Sequence, residues 1–299
     1  MSKILFIGDV VGKPGRKALR QVLPEWKEKY SPDVTIVNVE NLAHGKGVTP
    51  ITLAEVDGLG VDCFTSGNHI FKKNGLSNEC FEKYNKLIRP ENFGSQLPGH
   101  GYYRFSKNHQ QYLIINLNGT VFMEKQFPGE IANPFLAIDQ LLLDQGQKGD
   151  IIIVDFHSEA TSEKIAFGWH VDGRVTAVLG THTHVATADA RILPKGSAYI
   201  SDAGMTAARD SVLGVKKENA LAKFLDPSIK FKNEPEEAGV LMINGVLVET
   251  SADGRAVKIE KLYQEIWDRR QTRIFTDYTN CDLQNLRYYW LISDLCPNL

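Results

Sequence analysis

The chain has 299 residues, 42% of them hydrophobic and 23% charged, with a formal net charge of -2 at pH 7. That composition belongs to a soluble globular protein with a large core, and it excludes a general electrostatic attraction to nucleic acid or to anionic membrane. No run approaches the roughly 18 apolar residues of a spanning helix, and Asp9 interrupts an N-terminal apolar stretch too short for a signal segment, so a cytoplasmic protein with no membrane partner is expected.

In chain order, Lys3–Gly8 reads as a buried strand and Gly15–Lys29 as an amphipathic helix. Val34–Val39 is a second strand, Pro50–Gly58 a short helix and Asp62–Ser66 a third strand. Continuous apolar runs separated by helices predict parallel strands covered on both faces. Tyr102–Phe105 and Tyr112–Leu117 read as an antiparallel pair, Pro134–Asp144 as a helix and Ile151–Phe156 as another buried strand. Val175–Leu179, Ala190–Leu193, Gly239–Glu249 and Ala256–Leu262 are strand-like, the last two joined by a hairpin turn at Thr250–Arg255 that contains Asp253-Gly254. One domain is expected over residues 1–266. Beyond Trp267 the strand–helix rhythm is lost, and residues 267–299 form a C-terminal extension whose nature the pattern leaves open.

Cys63, Cys80, Cys281 and Cys296 have neither CxxC pairing nor zinc-finger spacing, and Cys63, inside an apolar run, reads as a buried free thiol.

The chemistry lies in five polar clusters that follow apolar runs. They are Asp9 in IGDVVG, Glu40-Asn41 in VNVEN, Asn68-His69 in SGNH, His157 in VDFHSE, and His182 with His184 in GTHTH. Taken singly, Asp9 could start a turn, Glu40-Asn41 could cap the helix near Pro50 and His157 could be a satisfied core histidine. Ligand sites in open α/β sheets form outside the carboxyl ends of strands, so loops far apart in sequence can meet there. The two histidines of HxH, on an extended segment, would face the same side.

Carboxylate, amide and imidazole together suit Mn, Fe or Zn better than Ca or Mg. The two oxygens of Glu40 could bridge a pair of ions; two ions about 3.5–4 Å apart activate a shared water and stabilise a phosphoryl oxyanion. His69, beside Asn68, would stand at the rim as a general acid for the leaving oxygen, or as a group that orients the substrate phosphate.

Arg16 and Lys13 lie in a Gly-containing loop before a helix, where phosphate could be received. Gly45 and Gly47 would permit a tight loop that brings His44 to substrate. Arg89 reads as structural, and Thr161 or Ser162 as a helix cap.

The order GD, N-x-EN, GNH, H and G-x-H-x-H resembles the calcineurin-type metallophosphoesterases. Two departures from their usual pattern are present: Asp9-Val10-Val11 where D-x-H is usual, and Glu40 at the bridging position usually held by aspartate. Together with GDVVGKPGR, VNVENLAHGKG, IRPEN, HSEATSEK, GTHTHVATAD and SAYISDAGM, these departures resemble the bacterial YmdB-like subfamily, of 2′,3′-cyclic-nucleotide 2′-phosphodiesterase type, from about residue 3 to 263.

The resemblance implies a four-layer α/β-β/α sandwich of two mixed sheets flanked by helices. It also implies two metal ions per chain, iron or manganese in the first place with zinc as an alternative. One ion would take Asp9, Glu40, Asn41 and His184, and the other Glu40, Asn68, His157 and His182, with a bridging hydroxide as nucleophile and His69 as the acid. Asn41 partly replaces the absent first-motif histidine. After GNH, where the subfamily often has Asp-Lys or Trp-Asp, this chain has Ile70-Phe71-Lys72-Lys73.

The implied substrate is a cyclic nucleotide or an RNA 2′,3′-cyclic phosphate end, cleaved to the 3′-phosphate. A phosphomonoesterase or protein phosphatase on the same centre, and a nucleotide- or RNA-binding regulator without turnover, are the rival readings. An amidohydrolase fits poorly because the HxH pair comes late. Homo-oligomerisation is left open.

Overall fold

A computed structural model of the protein describes residues 1–267 apart from 74, 124 and 128. The extension beyond 267, with Cys281 and Cys296, lies outside the described residues.

Two six-stranded mixed sheets form the centre of the fold. The first contains β1 (Lys3–Ile7), β2 (Val34–Asn38), β3 (Cys63–Thr65), β10 (Ala207–Ala208), β11 (Leu241–Thr250) and β12 (Ala256–Ile266). β1, β2 and β3 run parallel, with Ile4 opposite Val34 and Val37 opposite Phe64, while β11 pairs antiparallel to β1. The second contains β4 (Tyr102–Lys107), β5 (Gln110–Asn118), β6 (Ile151–His157), β7 (Ala177–Thr181), β8 (Arg191–Ile192) and β9 (Ala198–Ile200). Here β5, β6, β7 and β9 are parallel, and β4 and β8 close the edges antiparallel.

Strands such as KILFI and IIIVDFH are apolar without alternation because both of their faces are covered. Ile4, Phe6, Val34, Ile36, Ile114, Ile153, Leu179 and Val246 form the layer between the sheets. The outer face of the second sheet packs Leu113, Ile115, Val154 and Phe156 against Ile138, Leu141, Phe167 and Val171. The last four belong to α4 (Pro134–Gln145) and α5 (Thr161–Val171). On the other side lies α1 (Gly12–Tyr30), which buries Ala18, Leu19, Val22 and Leu23. The four-layer sandwich is therefore present as expected.

The structure adds elements that the pattern did not announce: α3 (Leu76–Lys83), β9 and α6 (Lys217–Leu225). It also corrects two caps. α2 (Pro50–Asp57) is capped by Thr49 in a reciprocal box with Thr52, so Glu40-Asn41 are not its cap. α5 starts after Ala160 with no side-chain cap, and neither Thr161 nor Ser162 fills that role. The nearby Glu163 carboxylate instead accepts from Thr120 N, Thr120 Oγ1 and Ser158 Oγ. The hairpin between β11 and β12 closes as expected, with Gly254 at φ +85°. Cys63 and Cys80 are buried free thiols, and burial pushes both above the ordinary thiol value.

Candidate metal centre

The parallel strands of both sheets end on one side of the sandwich, and each predicted cluster sits at such an end. Asp9 follows β1, Glu40 follows β2 and Asn68 follows β3; His157 is the last residue of β6, and His182 comes directly after β7. Asp9, Glu40, Asn41, Asn68 and His157 are almost completely buried.

Around His157 Nε2 lie Asn68 Oδ1 at 2.9 Å, His182 Nδ1 at 3.1 Å and Glu40 Oε1 at 3.2 Å. Glu40, His157 and His182 form a compact set able to hold one metal ion. Their close approach requires Gly67, where a Cβ would stand 2.3 Å from His157 Nε2 and 2.4 Å from Glu40 Oε2.

The tautomer of His157 follows from its other contact. Thr181 Oγ1 gives its single proton to Asp155 Oδ1 at 2.6 Å, so it accepts from His157 Nδ1 at 2.9 Å. Nε2 is thereby left with its lone pair toward the cluster, as the nitrogen that could take a metal. Asp155 is itself anchored by Asn38 Nδ2 at 2.8 Å, and burial raises its carboxyl to about 7. His182 is oriented in the same way: its Nε2 is 2.9 Å from Glu159 Oε2, which leaves Nδ1 facing the cluster.

Buried acid surrounds His157 from Glu40, Asp9 and Asp155. Burial opposes charge on His157, yet Glu40 first and then Asp9 and Asp155 raise it to about 9. Burial alone would raise Glu40, but His157 holds it well below the usual carboxylate range. Burial first, and then His157 beside it, push His182 well below its ordinary value.

A second set of donors lies alongside. Asp9 Oδ1 and Asn41 Oδ1 are buried and have no hydrogen-bond partner. Asn41 Nδ2 donates to Gly45 O at 2.8 Å, which fixes the amide and frees its oxygen. Orphaned buried oxygens of this kind are costly unless a water or an ion takes them up, so the residues fit a metal group. Of the proposed ligands, His184 lies outside the compact set, as Asp9 does, and its Nδ1 is 3.1 Å from Leu213 O. The expectation that His182 and His184 share a face of an extended segment is corrected. β7 ends at Thr181, and both histidines have positive φ, 99° and 66°.

His69 lines the cleft beside these groups. Asn68 Nδ2 is 3.2 Å from its Nδ1, an arrangement that leaves Nε2 as the N–H, and the His69 amide donates to Glu40 Oε2 at 3.0 Å. Burial lowers His69 below its ordinary value, and Glu40 opposes that shift.

A profile of the YmdB-like protein family matches residues 5–262. The chain belongs to the YmdB-like family. It is 41% identical over 262 residues to the 2′,3′-cyclic-nucleotide 2′-phosphodiesterase of Bacillus subtilis (strain 168), covering 87% of this chain and 96% of the relative. A crystal structure of a novel phosphatase from Mycoplasma pneumoniae superposes with TM-score 0.82 at 35% identity, over 91% of this chain and 98% of that one. A 5′-nucleotidase precursor from Thermus thermophilus shares the fold alone, with TM-score 0.53 at 11% identity, over 93% of this chain and 58% of that one.

This YmdB-like chain opens its centre into a cavity of about 470 Å³ lined by Glu40, Asn41, His44, Lys46, His69, Gln126, Glu159, His182 and His184. His44 lines the cleft, at the turn where Gly45 and Gly47 take positive φ. Arg16 does not line it; its guanidinium is held by Glu55 at 2.8 Å and by Leu42 O, which is a packing role. Lys13 is exposed and paired with Glu237. Arg89 is buried and spans the carbonyls of Pro90, Gly94 and Pro98.

Sequence reading missed Glu159, Gln126 and Lys46. Glu159 had a signal, since it lies two residues after His157 in HSE; the other two had none. Also missed was the buried Lys164–Asp202 pair at 2.8 Å. Lys164 donates to Thr181 O, and Asp202 accepts from Thr183 N and Gly204 N, so the pair clamps the turn that carries His182.

Proposed function

We propose that the protein is a di-metal phosphodiesterase that hydrolyses 2′,3′-cyclic nucleotides to 3′-nucleotides, with residues 1–266 as one catalytic unit. The observation that carries this reading is the pair of buried, unpartnered oxygens on Asp9 and Asn41, set beside the converging Glu40, Asn68, His157 and His182 donors. Kinship with the B. subtilis 2′,3′-cyclic-nucleotide 2′-phosphodiesterase supports the substrate class.

Asp9, Asn41, Glu40 and His184 would hold one ion, and Glu40, Asn68, His157 and His182 the other. Carboxylate, amide and imidazole donors suit manganese or iron, and Asn41 makes the first site more oxygen-rich. When bound, such ions supply an activated water and neutralise phosphoryl oxygens. Asn68 has two tasks: its oxygen faces the cluster while its amide holds His69 Nδ1. When protonated, His69 is the donor through Nε2–H for the departing ribose 2′ oxygen, and its Nδ1–H then no longer accepts from Asn68. A phosphodiester anion arriving beside His69 acts in the same sense as Glu40 and favours its protonated form. An RNA end bearing the same cyclic phosphate presents the same chemistry.

The test is hydrolysis of 2′,3′-cyclic AMP with manganese, together with metal content, for the wild type and His69→Ala. About two metals in both proteins, a 3′-AMP product, and a loss on the order of 10²–10⁴-fold in kcat for the variant are expected. A 2′-AMP product would reverse the bond assignment. Hydrolysis of monoesters alone would overturn the diesterase reading.

A further inference from the structure

Part of the cavity lining comes from one stretch of chain, and the metal chemistry makes no use of it. Val212, Leu213 and Val215 line it, as do Ala220, Lys223 and Phe224 of α6, and Phe231 beyond. Ala220 and Phe224 are one helical turn apart, so α6 turns one face to the cavity. That face leaves Phe224 82% exposed, and Phe231 is 43% exposed. Large aromatic side chains left in water at the rim of a polar site lose burial energy unless a ligand covers them. Two cations, Lys46 and Lys223, line the same cavity. The cleft thus presents metal-type donors on one side, an aromatic wall on another, and positive charge as well. A nucleotide has the matching parts: an anionic phosphate and a flat apolar base.

We propose that Phe224 and Phe231 form a base subsite, on which the nucleobase of the substrate stacks while its phosphate meets the metal donors. This rests on the phosphodiesterase reading for the position of the phosphate. Base–aromatic stacking tolerates every base because each has a π face, so the subsite selects a nucleotide over a base-free sugar phosphate and discriminates weakly among bases. Lys223, adjacent to Phe224 on the helix, supplies charge attraction for the anion.

The experiment compares wild type, Phe224→Ala, Phe231→Ala and the double variant, each loaded with manganese. Dissociation constants are measured by calorimetry for 3′-AMP and for base-free ribose 3-phosphate, and hydrolysis rates for 2′,3′-cyclic AMP and for methyl riboside 2′,3′-cyclic phosphate. The double variant should bind 3′-AMP roughly 5- to 100-fold more weakly, with ribose 3-phosphate unchanged. Its kcat/KM should fall for the cyclic nucleotide and hold for the base-free diester. A tryptophan at Phe224 (Phe224→Trp) should preserve the wild-type preference.

Equal losses for both ligands, or no loss for either, would overturn the subsite. So would unaltered binding accompanied by a change in sedimentation mass, which would make the wall a contact between copies of the chain. If the wild type turns over neither cyclic diester but the double variant still loses 3′-AMP selectively, the phosphodiesterase reading fails and the base subsite stands. Both Phe side chains are exposed, so the variants should keep the wild-type melting temperature, which is checked alongside.

Discussion

An imidazole binds a metal through one nitrogen while the other is held as a donor, and the residue that holds it sets the orientation of the ring. In this protein Asp155 holds His157 through the Thr181 hydroxyl, and Glu159 holds His182 directly. Glu159 is partly exposed, with 45% of its side chain accessible, so its removal should leave the fold intact. Glu159→Ala is expected to weaken manganese binding by about 10- to 100-fold, while Glu159→Gln, which keeps an acceptor, should lose less. Calorimetric titration of metal into the stripped variants checks this, and equal affinities across the three proteins would mean that His182 is oriented by other contacts. Gly67 is as demanding as any ligand. A methyl group there would collide with His157 and Glu40, so Gly67→Ala should reduce bound metal, measured as metal per chain after gel filtration.

At the scale of elements, the turn after β7 has to hold two histidines in left-handed backbone conformations, and the helix behind it keeps it there. Lys164 of α5 reaches Thr181 O, and its partner Asp202 holds the amides of Thr183 and Gly204. Both charges are buried, so removing one leaves the other uncompensated, at a cost of about 3–5 kcal/mol. Lys164→Met should therefore lower the stability of the metal-free protein by that amount in urea unfolding, and should also weaken metal binding. A shift below about 1 kcal/mol, the usual scale of a surface pair, would mean that Asp202 finds another partner. The strands leading into the site approach other backbone at contact distance: a Cβ on Gly8 would lie 1.7 Å from Gly204 O, and one on Gly180 1.8 Å from Ser201 O. Glycine at these positions lets the segment after β9 lie against both sheets.

For the molecule as a whole, the site concentrates buried acid with too few positive partners. Burial raises Asp9, and the neighbouring Glu40 and Asp202 act in the same sense while His184 and His157 oppose it. Metal binding to the native state alone raises stability by mass action, about 2.7 kcal/mol at a free concentration of 100 Kd. The melting temperature should climb with manganese concentration and fall after exhaustive chelation. A melting temperature indifferent to metal would contradict a resident centre. Asp9→Asn, which removes the charge, should reduce this dependence and leave the metal-free protein no less stable.

Sequence alone determined the parts of this protein that depend on local periodicity and residue chemistry. β1, β2, β5 and β6 are unalternating apolar runs because both faces are covered, and that pattern is visible without coordinates. Donors after strand ends could be assembled on paper because a parallel strand delivers its carboxyl end to a common edge. α3 and α6 were not legible, because each is short and buries little, Ser77 and Cys80 in one and Ala220 in the other. Tertiary structure decided which nitrogen of each histidine faces the centre, because Thr181, Asp155 and Glu159 act across hydrogen bonds and not through spacing. It withdrew Arg16 from the cleft by giving it Glu55, 39 residues away. It also brought Lys164 to Asp202 and carried Phe224 and Phe231 to the cavity, since long-range pairing is a property of the folded chain and leaves no period in the sequence.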